Sequence, residues 1–242
     1  MVALDFERLG SAWGVVRRLQ GCVGLVKVGS QLASAEGPRA VQELSRAVPG
    51  IFLDLKFHDI PNTVAGAVAA VAELPGIRML TVHTTGGLEM MRAARRALRG
   101  KKNRPKLLGV TLLTSLDAEE LKRVGIKGGP RSRALELAKL AKKAGMDGVV
   151  ASAHEARAIR RGCGKKFLIV VPGVRPVESP LGKAAKRKKK SKDDQARVAT
   201  PAEAIRAGAD YIVVGRPITH AADPRVAAEA IVEEMSKVLR RR

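Results

Sequence analysis

Short runs of β-branched and other apolar residues alternate along the whole chain with longer segments of helical spacing, and this alternation limits the possible folds more than any other feature. The β-rich runs fall at Val2–Asp5, Leu25–Gly29, Ile51–Lys56, Met79–Thr84, Lys106–Leu113, Gly148–Ser152, Phe167–Gly173 and Tyr211–Gly215. Between them lie stretches such as Arg133–Ala144 and Pro201–Ala207, with apolar residues three and four apart. Ala144-Gly145 and Ala207-Gly208 read as helix-stopping glycines that feed the next strand. A strand–helix unit repeated eight times predicts a closed parallel (β/α)8 TIM barrel, with a doubly wound open sheet as the alternative. No linker interrupts the rhythm, so residues 1–242 are expected to form one catalytic domain.

One connection breaks the pattern of short loops. From about 174 to 200 the chain carries Arg-Pro, Ser-Pro, a lysine run and Asp-Asp-Gln. A connection that long inside a compact domain is usually a functional lid or disordered. It follows the seventh strand, on the face where barrels place their active sites.

Charge narrows the class of ligand. Forty-five basic against 23 acidic residues give +22. Seven of the basic residues lie between Lys183 and Lys192, and three more are Arg240, Arg241 and Arg242. Taking these ten from +22 leaves +12, so the bias runs through the whole chain. A cationic surface favours phosphorylated or polymeric anions. With one Trp, one Tyr and four Phe, however, the chain is poor in platforms for stacking bases, and no specific nucleic-acid partner is expected. The lysine run is open to three readings: a solvated loop, steering of an anionic substrate, or contact with acidic partners. Cys22 and Cys163 lack metal-ligand or redox spacing. No membrane-length apolar stretch and no leader pattern stand out, so a cytoplasmic location without membrane association is the expectation.

The densest chemistry lies in Asp54-Leu55-Lys56-Phe57-His58-Asp59. Residues two apart on a strand face the same way, which places Asp54 and Lys56 together near the strand's carboxyl end and Asp59 in the following loop. An ammonium held between carboxylates stays charged and oriented. It can give a proton to a carbanion, while a fixed carboxylate beside it repels a substrate carboxylate. Two charges aimed into a barrel mouth are expensive unless used, which favours chemistry over a plain ion pair. Gly215-Arg216, at the end of the last strand, offers a backbone N–H and a planar guanidinium for phosphate, with Arg175 as a second clamp.

The run Asp54–Thr63, with its Ile60-Pro61-Asn62-Thr63 end, resembles the signature of orotidine 5′-phosphate decarboxylases. Further matches follow in order: Val2–Asp5, Val26–Gly29, Thr81–His83, Gly109–Ser115, Pro172–Pro176, Asp194-Gln195 and Val214–Pro217. The resemblance implies conversion of orotidine 5′-monophosphate to UMP and CO2 in de novo pyrimidine biosynthesis, without a cofactor or metal. Lys56 would protonate C6 of the carbanion, and Asp54 would lie beside the leaving carboxylate. Asp59 would reach the site from the partner of a homodimer, with Ile60 and Thr63 lining the same shared site. Asp5 and Lys27 would hold ribose hydroxyls, Thr114 would meet the pyrimidine edge, and His83 would lie near the ribose and the dimer contact. Arg175, Gly215 and Arg216 would take the phosphate, with Gln195 bridging phosphate and base. The family usually has Gly-Asp-Gln where this chain has Asp193-Asp194-Gln195, and the Lys183–Lys192 run is foreign to its pattern. Two rivals stay open: the related hexulose-phosphate synthases and keto-gulonate-phosphate decarboxylases, which use Mg²⁺, and an RNA-binding barrel that has lost catalysis.

Overall fold

The computed structural model describes residues 1–176 and 198–240. Its strands are β1 (Val2–Ala3), β2 (Val26–Gly29), β3 (Ile51–Phe57), β4 (Ile77–His83), β5 (Lys106–Val110), β6 (Gly148–Val150), β7 (Leu168–Val171) and β8 (Tyr211–Ile212). They pair in sequence order, all parallel. A parallel bridge between Val2 and Val214 joins the first strand to the end of the last. The Ala3 N–H donates to the Val214 carbonyl at 2.9 Å and the Val214 N–H to the Met1 carbonyl at 3.0 Å. These bonds close the expected TIM barrel and exclude the open doubly wound sheet, whose edge strands would stay unpaired.

Every run expected to be a strand contains one, but most strands are shorter than the runs. Asp5, Leu112–Ser115, Ser152, Pro172–Gly173 and Gly215 lie beyond the ladder, where the backbone leaves the barrel to line its mouth. Thr84 likewise leaves β4 for a 3-10 turn and donates its hydroxyl to the Val110 carbonyl at 2.8 Å. Two strands are longer: β3 continues to Phe57 and β4 begins at Ile77, and their pairing shifts register twice.

The helices wrap the barrel as α1 (Leu9–Arg18), α2 (Ser30–Glu36), α3 (Pro38–Leu44), α4 (Pro61–Val71), α5 (Gly87–Ala97), α6 (Ala118–Arg123), α7 (Pro130–Lys143), α8 (Ala153–Cys163), α9 (Pro201–Ala207), α10 (Arg216–Thr219) and α11 (Pro224–Leu239). Alternation along each strand divides the core in two. Outward residues such as Val28, Leu53, Leu80, Val149 and Ile169 pack beneath the helices. Inward residues Ala3, Phe52, Met79, Leu108, Val110, Val150, Val170 and Val213 fill the barrel. This apolar plug is the floor on which the polar mouth stands.

At the amino-terminal pole one device appears twice. The helix-stop glycines Gly145 and Gly208 have φ of 81° and 105°, as the sequence anticipates, and each is followed two residues later by an aspartate. Asp147 Oδ2 accepts the Leu107 N–H at 2.9 Å, and its carboxylate takes two bonds from Arg104, at 2.7 and 2.9 Å. Asp210 Oδ2 accepts the Ile169 N–H at 2.7 Å and an Arg160 Nη2 bond at 2.5 Å. Each carboxylate therefore pins the start of one strand to its neighbour. Asp147→Ala should cost about 2 kcal/mol, the scale of hydrogen bonds to a charged group. For a domain of this size that is a fall in Tm of about 4–8 °C. Thermal unfolding checks this, and an unchanged Tm would show that the pin is dispensable.

Candidate active site

A cavity of about 490 Å³ opens at the carboxyl ends of the strands, within the size range of small-molecule sites. Phe52 forms part of its floor, and Asp5, Lys27, Asp54, Lys56, Thr114, Arg175, Gly215 and Arg216 all line it. Sequence reasoning had named these eight from separate segments, and the barrel brings them around one opening.

On one side runs a row of alternating charges. Lys27 Nζ donates to Asp5 Oδ1 at 2.9 Å and lies 3.9 Å from Asp54 Oδ2. Lys56 Nζ donates to the same Asp54 oxygen at 2.8 Å. The row is graded in exposure: the side chains of Asp54 and Lys27 are 9% and 11% exposed, those of Lys56 and Asp5 35% and 53%. A carboxylate as enclosed as Asp54 needs opposite charge beside it, and it has two ammoniums. Its other oxygen, Oδ1, accepts a 3.0 Å bond from the hydroxyl of buried Thr81.

Asp54 and Lys56 share the mouth as the sequence implies, but by a less regular route than simple alternation. The pairing steps from Leu53 opposite Leu80 to Phe57 opposite Val82, so β3 bulges between them. Lys56 sits in the bulge with φ of 53°, unique among the described non-glycine residues in being left-handed. Such a conformation costs about 1–3 kcal/mol and persists only where its surroundings enforce it.

The arginines line the same mouth from after β7 and β8. Arg175 is buried, with Nη1 donating to the Val174 carbonyl at 3.2 Å, and Arg216 is half-buried at the start of α10. A bridge between Val174 and Ala199 ties together the two ends of the long connection, and the Arg175 N–H donates to the Ala199 carbonyl at 2.9 Å. Thr200 then opens α9 in a reciprocal capping box with Glu203. Gln195, Asp193 and the Lys183–Lys192 run lie outside the described residues.

Four residues named from the sequence do not line their own chain's cavity. Asp59 and Thr63 are exposed, as is Ile60 at 66%, and Asp59 Oδ1 takes the Ile60 N–H at 2.6 Å. His83 stacks on His58 with ring centroids 5.3 Å apart, and its Nδ1 lies 2.6 Å from the Thr85 hydroxyl. Two contributors were missed. Thr81 lies inside a quoted motif but gave no sign of its partners. Gly29 sits where an added Cβ would come 2.6 Å from Lys27 Nζ and 3.2 Å from Asp5 Oδ1, so only glycine leaves the row in place. Among the described residues no group of three or more His, Cys, Asp or Glu side chains could hold a metal ion, and no helix is long and apolar enough to cross a membrane.

Comparison with known proteins gives a consistent result. The model of the orotidine 5′-phosphate decarboxylase / HUMPS family matches residues 1–231. An orotidine 5′-phosphate decarboxylase of Trichlorobacter lovleyi is 48% identical over 236 residues, spanning 96% of this chain and 93% of that protein. One from Anaeromyxobacter dehalogenans is 50% identical over 229 residues, spanning 95% and 94%. The crystal structure of orotidine 5′-phosphate decarboxylase from Lactobacillus acidophilus superposes with a TM-score of 0.81 at 37% identity, covering 97% of each chain.

Burial, then the charges of His58 and Lys56, lower the His83 pKa from 6.5 to about 4. Between those values the folded chain binds fewer protons at His83 than the unfolded chain does. The associated stability is therefore present above pH 6.5 and is lost as pH falls toward 4. In urea unfolding at several pH values, His83→Asn should flatten the acid-side loss over this window. Parallel curves for the two proteins would show that His83 titrates normally.

Proposed function

The chain belongs to the orotidine 5′-phosphate decarboxylase / HUMPS family and is a carboxy-lyase of pyrimidine biosynthesis that decarboxylates orotidine 5′-monophosphate; from that premise we propose that it works by lysine protonation of a C6 carbanion, without a cofactor, at sites shared across a homodimer. The observation that carries the mechanism is the row Asp5–Lys27–Asp54–Lys56, lining one cavity with two arginines.

Arg175, Arg216 and the Gly215 backbone bind the phosphate, and Gln195, by the resemblance, would bridge phosphate and base. Asp5 and Lys27 take the ribose hydroxyls, and Thr114 meets the pyrimidine edge. The carboxylate of the substrate then lies beside Asp54. Breaking the C6–CO2 bond leaves its electron pair on C6, and the Lys56 ammonium delivers a proton there, giving UMP. A preorganised ammonium in a site screened from water stabilises charge developing at C6 without having to reorient. Phosphate contacts far from C6 supply binding energy that offsets crowding at the reacting end.

The exposure of Asp59, Ile60 and Thr63, on a chain whose own cavity omits them, supports their service to a partner's site. His83, stacked on His58 in the loop before Asp59, would support that contact. The sugar-phosphate rivals share the Asp-x-Lys-x-x-Asp core, and names of relatives that cover the chain nearly end to end favour the nucleotide enzyme.

Incubation with orotidine 5′-monophosphate and EDTA should yield UMP. Lys56→Ala should lose at least about 10³-fold in kcat with its fold intact, since proton transfer by a positioned group is worth about 10²–10⁴-fold and Lys56 also stabilises the charge. Activity abolished by EDTA, or substantial turnover by Lys56→Ala, would overturn the mechanism.

The shared site has its own test. Lys56→Ala and Asp59→Ala chains, inactive separately, are unfolded together and refolded as an equal mixture. About half of the dimers are then mixed, and each holds one site with both residues intact. Activity should return to about a quarter of the refolded wild type. A mixture that stays dead would place Asp59 in its own chain's site.

A further inference from the structure

Thr81 is fully buried in β4, directly beside the bulge of β3. Its hydroxyl oxygen accepts the Lys56 backbone N–H at 2.9 Å, and the same hydroxyl donates to Asp54 Oδ1 at 3.0 Å. Asp54 Oδ2 in turn accepts from Lys56 Nζ at 2.8 Å. These three bonds close a ring that runs from the Lys56 backbone through Thr81 and Asp54 back to the Lys56 side chain. The bulge takes the Lys56 N–H out of the regular ladder, and the hydroxyl supplies the partner that β4's backbone would otherwise provide. A hydroxyl can donate once and accept as well, so one side chain serves both ends of the pair.

We propose that Thr81 is a positioning residue for the reaction: it holds Lys56 in its left-handed conformation and fixes the Asp54 carboxylate, so that ammonium and carboxylate meet the reacting carbon in a set geometry. The proposal rests on the reading that Lys56 is the proton donor. Thr81 is absent from the cavity wall, so its effect must pass through Asp54 and Lys56. Substrate affinity, which the phosphate and ribose contacts carry, should be little affected.

The cleanest comparison is Thr81→Ser against Thr81→Ala, because both remove the methyl group and only one removes the hydroxyl. Thr81→Val adds a variant of nearly native shape. Each is assayed for orotidine 5′-monophosphate decarboxylation and for Tm. Thr81→Ala and Thr81→Val should lose about 10- to 100-fold in kcat, equivalent to about 1.4–2.7 kcal/mol, with KM within about threefold of wild type. Thr81→Ser should recover most of kcat although it shares the lost methyl. If Thr81→Val does not fold, the Ser/Ala pair decides alone. Equal kcat for Ser and Ala, or a loss confined to KM, would overturn the proposal. Failure of the premise is separable, because an active Lys56→Ala protein refutes the proton donor whatever Thr81 does.

Discussion

An enclosed carboxylate in the mouth of a barrel must be matched on both of its oxygens, and this requirement at Asp54 organises the rest of the site. Without partners, a charge so little exposed would cost several kcal/mol. One oxygen faces the ammoniums of Lys56 and Lys27, at 2.8 and 3.9 Å, and the other takes the Thr81 hydroxyl. Those partners come from β2, β3 and β4, three neighbouring strands, so the row exists only when the sheet is paired in its native register. The plug of Phe52, Met79, Leu108 and their neighbours lies below. It keeps the charged layer at the rim, where Asp5 and Lys56 stay partly solvated.

Much of this was legible in the sequence because it depends on period. Strand existence, the eightfold repeat, the inward pairing of Asp54 with Lys56 and the stop glycines Gly145 and Gly208 all follow from local pattern. Strand ends were harder to read. Apolar residues such as Leu112 and Leu113 continue past the end of β5, since the mouth needs apolar walls as much as the sheet does. The role of Thr81 could not be read, because it depends on a register shift between β3 and β4 that no single strand announces. Gly29 escaped for a related reason: its importance lies in where Lys27 Nζ rests, a tertiary fact. Asp59 was legible as a charged group, but only the resemblance, and no local pattern, assigned it to a partner's site.

Backbone strain ties stability to chemistry here. Lys56 is the described non-glycine residue with a left-handed backbone, and it is also the residue assigned the proton. A regular strand would send the side chains of residues 54 and 56 parallel to one another, each perpendicular to the sheet. The bulge instead folds the Lys56 chain back until its ammonium touches the Asp54 carboxylate. That contact and the Thr81 hydroxyl offset the strain, so the geometry that stabilises the pair also aims it.

The two parts of the mouth differ in the groups they offer, and the difference suits the substrate proposed for it. Asp5, Lys27, Asp54 and Lys56 carry two negative and two positive charges, so their row is neutral as a group. Arg175 and Arg216 bring two guanidiniums to the mouth from after β7 and β8. On the proposed reading a dianionic phosphate has a favoured end, because a guanidinium fork matches its oxygens in bidentate geometry. The substrate carboxylate would meet, at the other end, the neutral row that contains Asp54. On the proposed reading, binding is strong where no bond changes, and the reacting carboxylate is held where its loss as CO2 removes a negative charge from beside Asp54. On that reading the pull at the phosphate and the crowding at the carboxylate act along one molecule, and the barrel separates them by holding them after different strands.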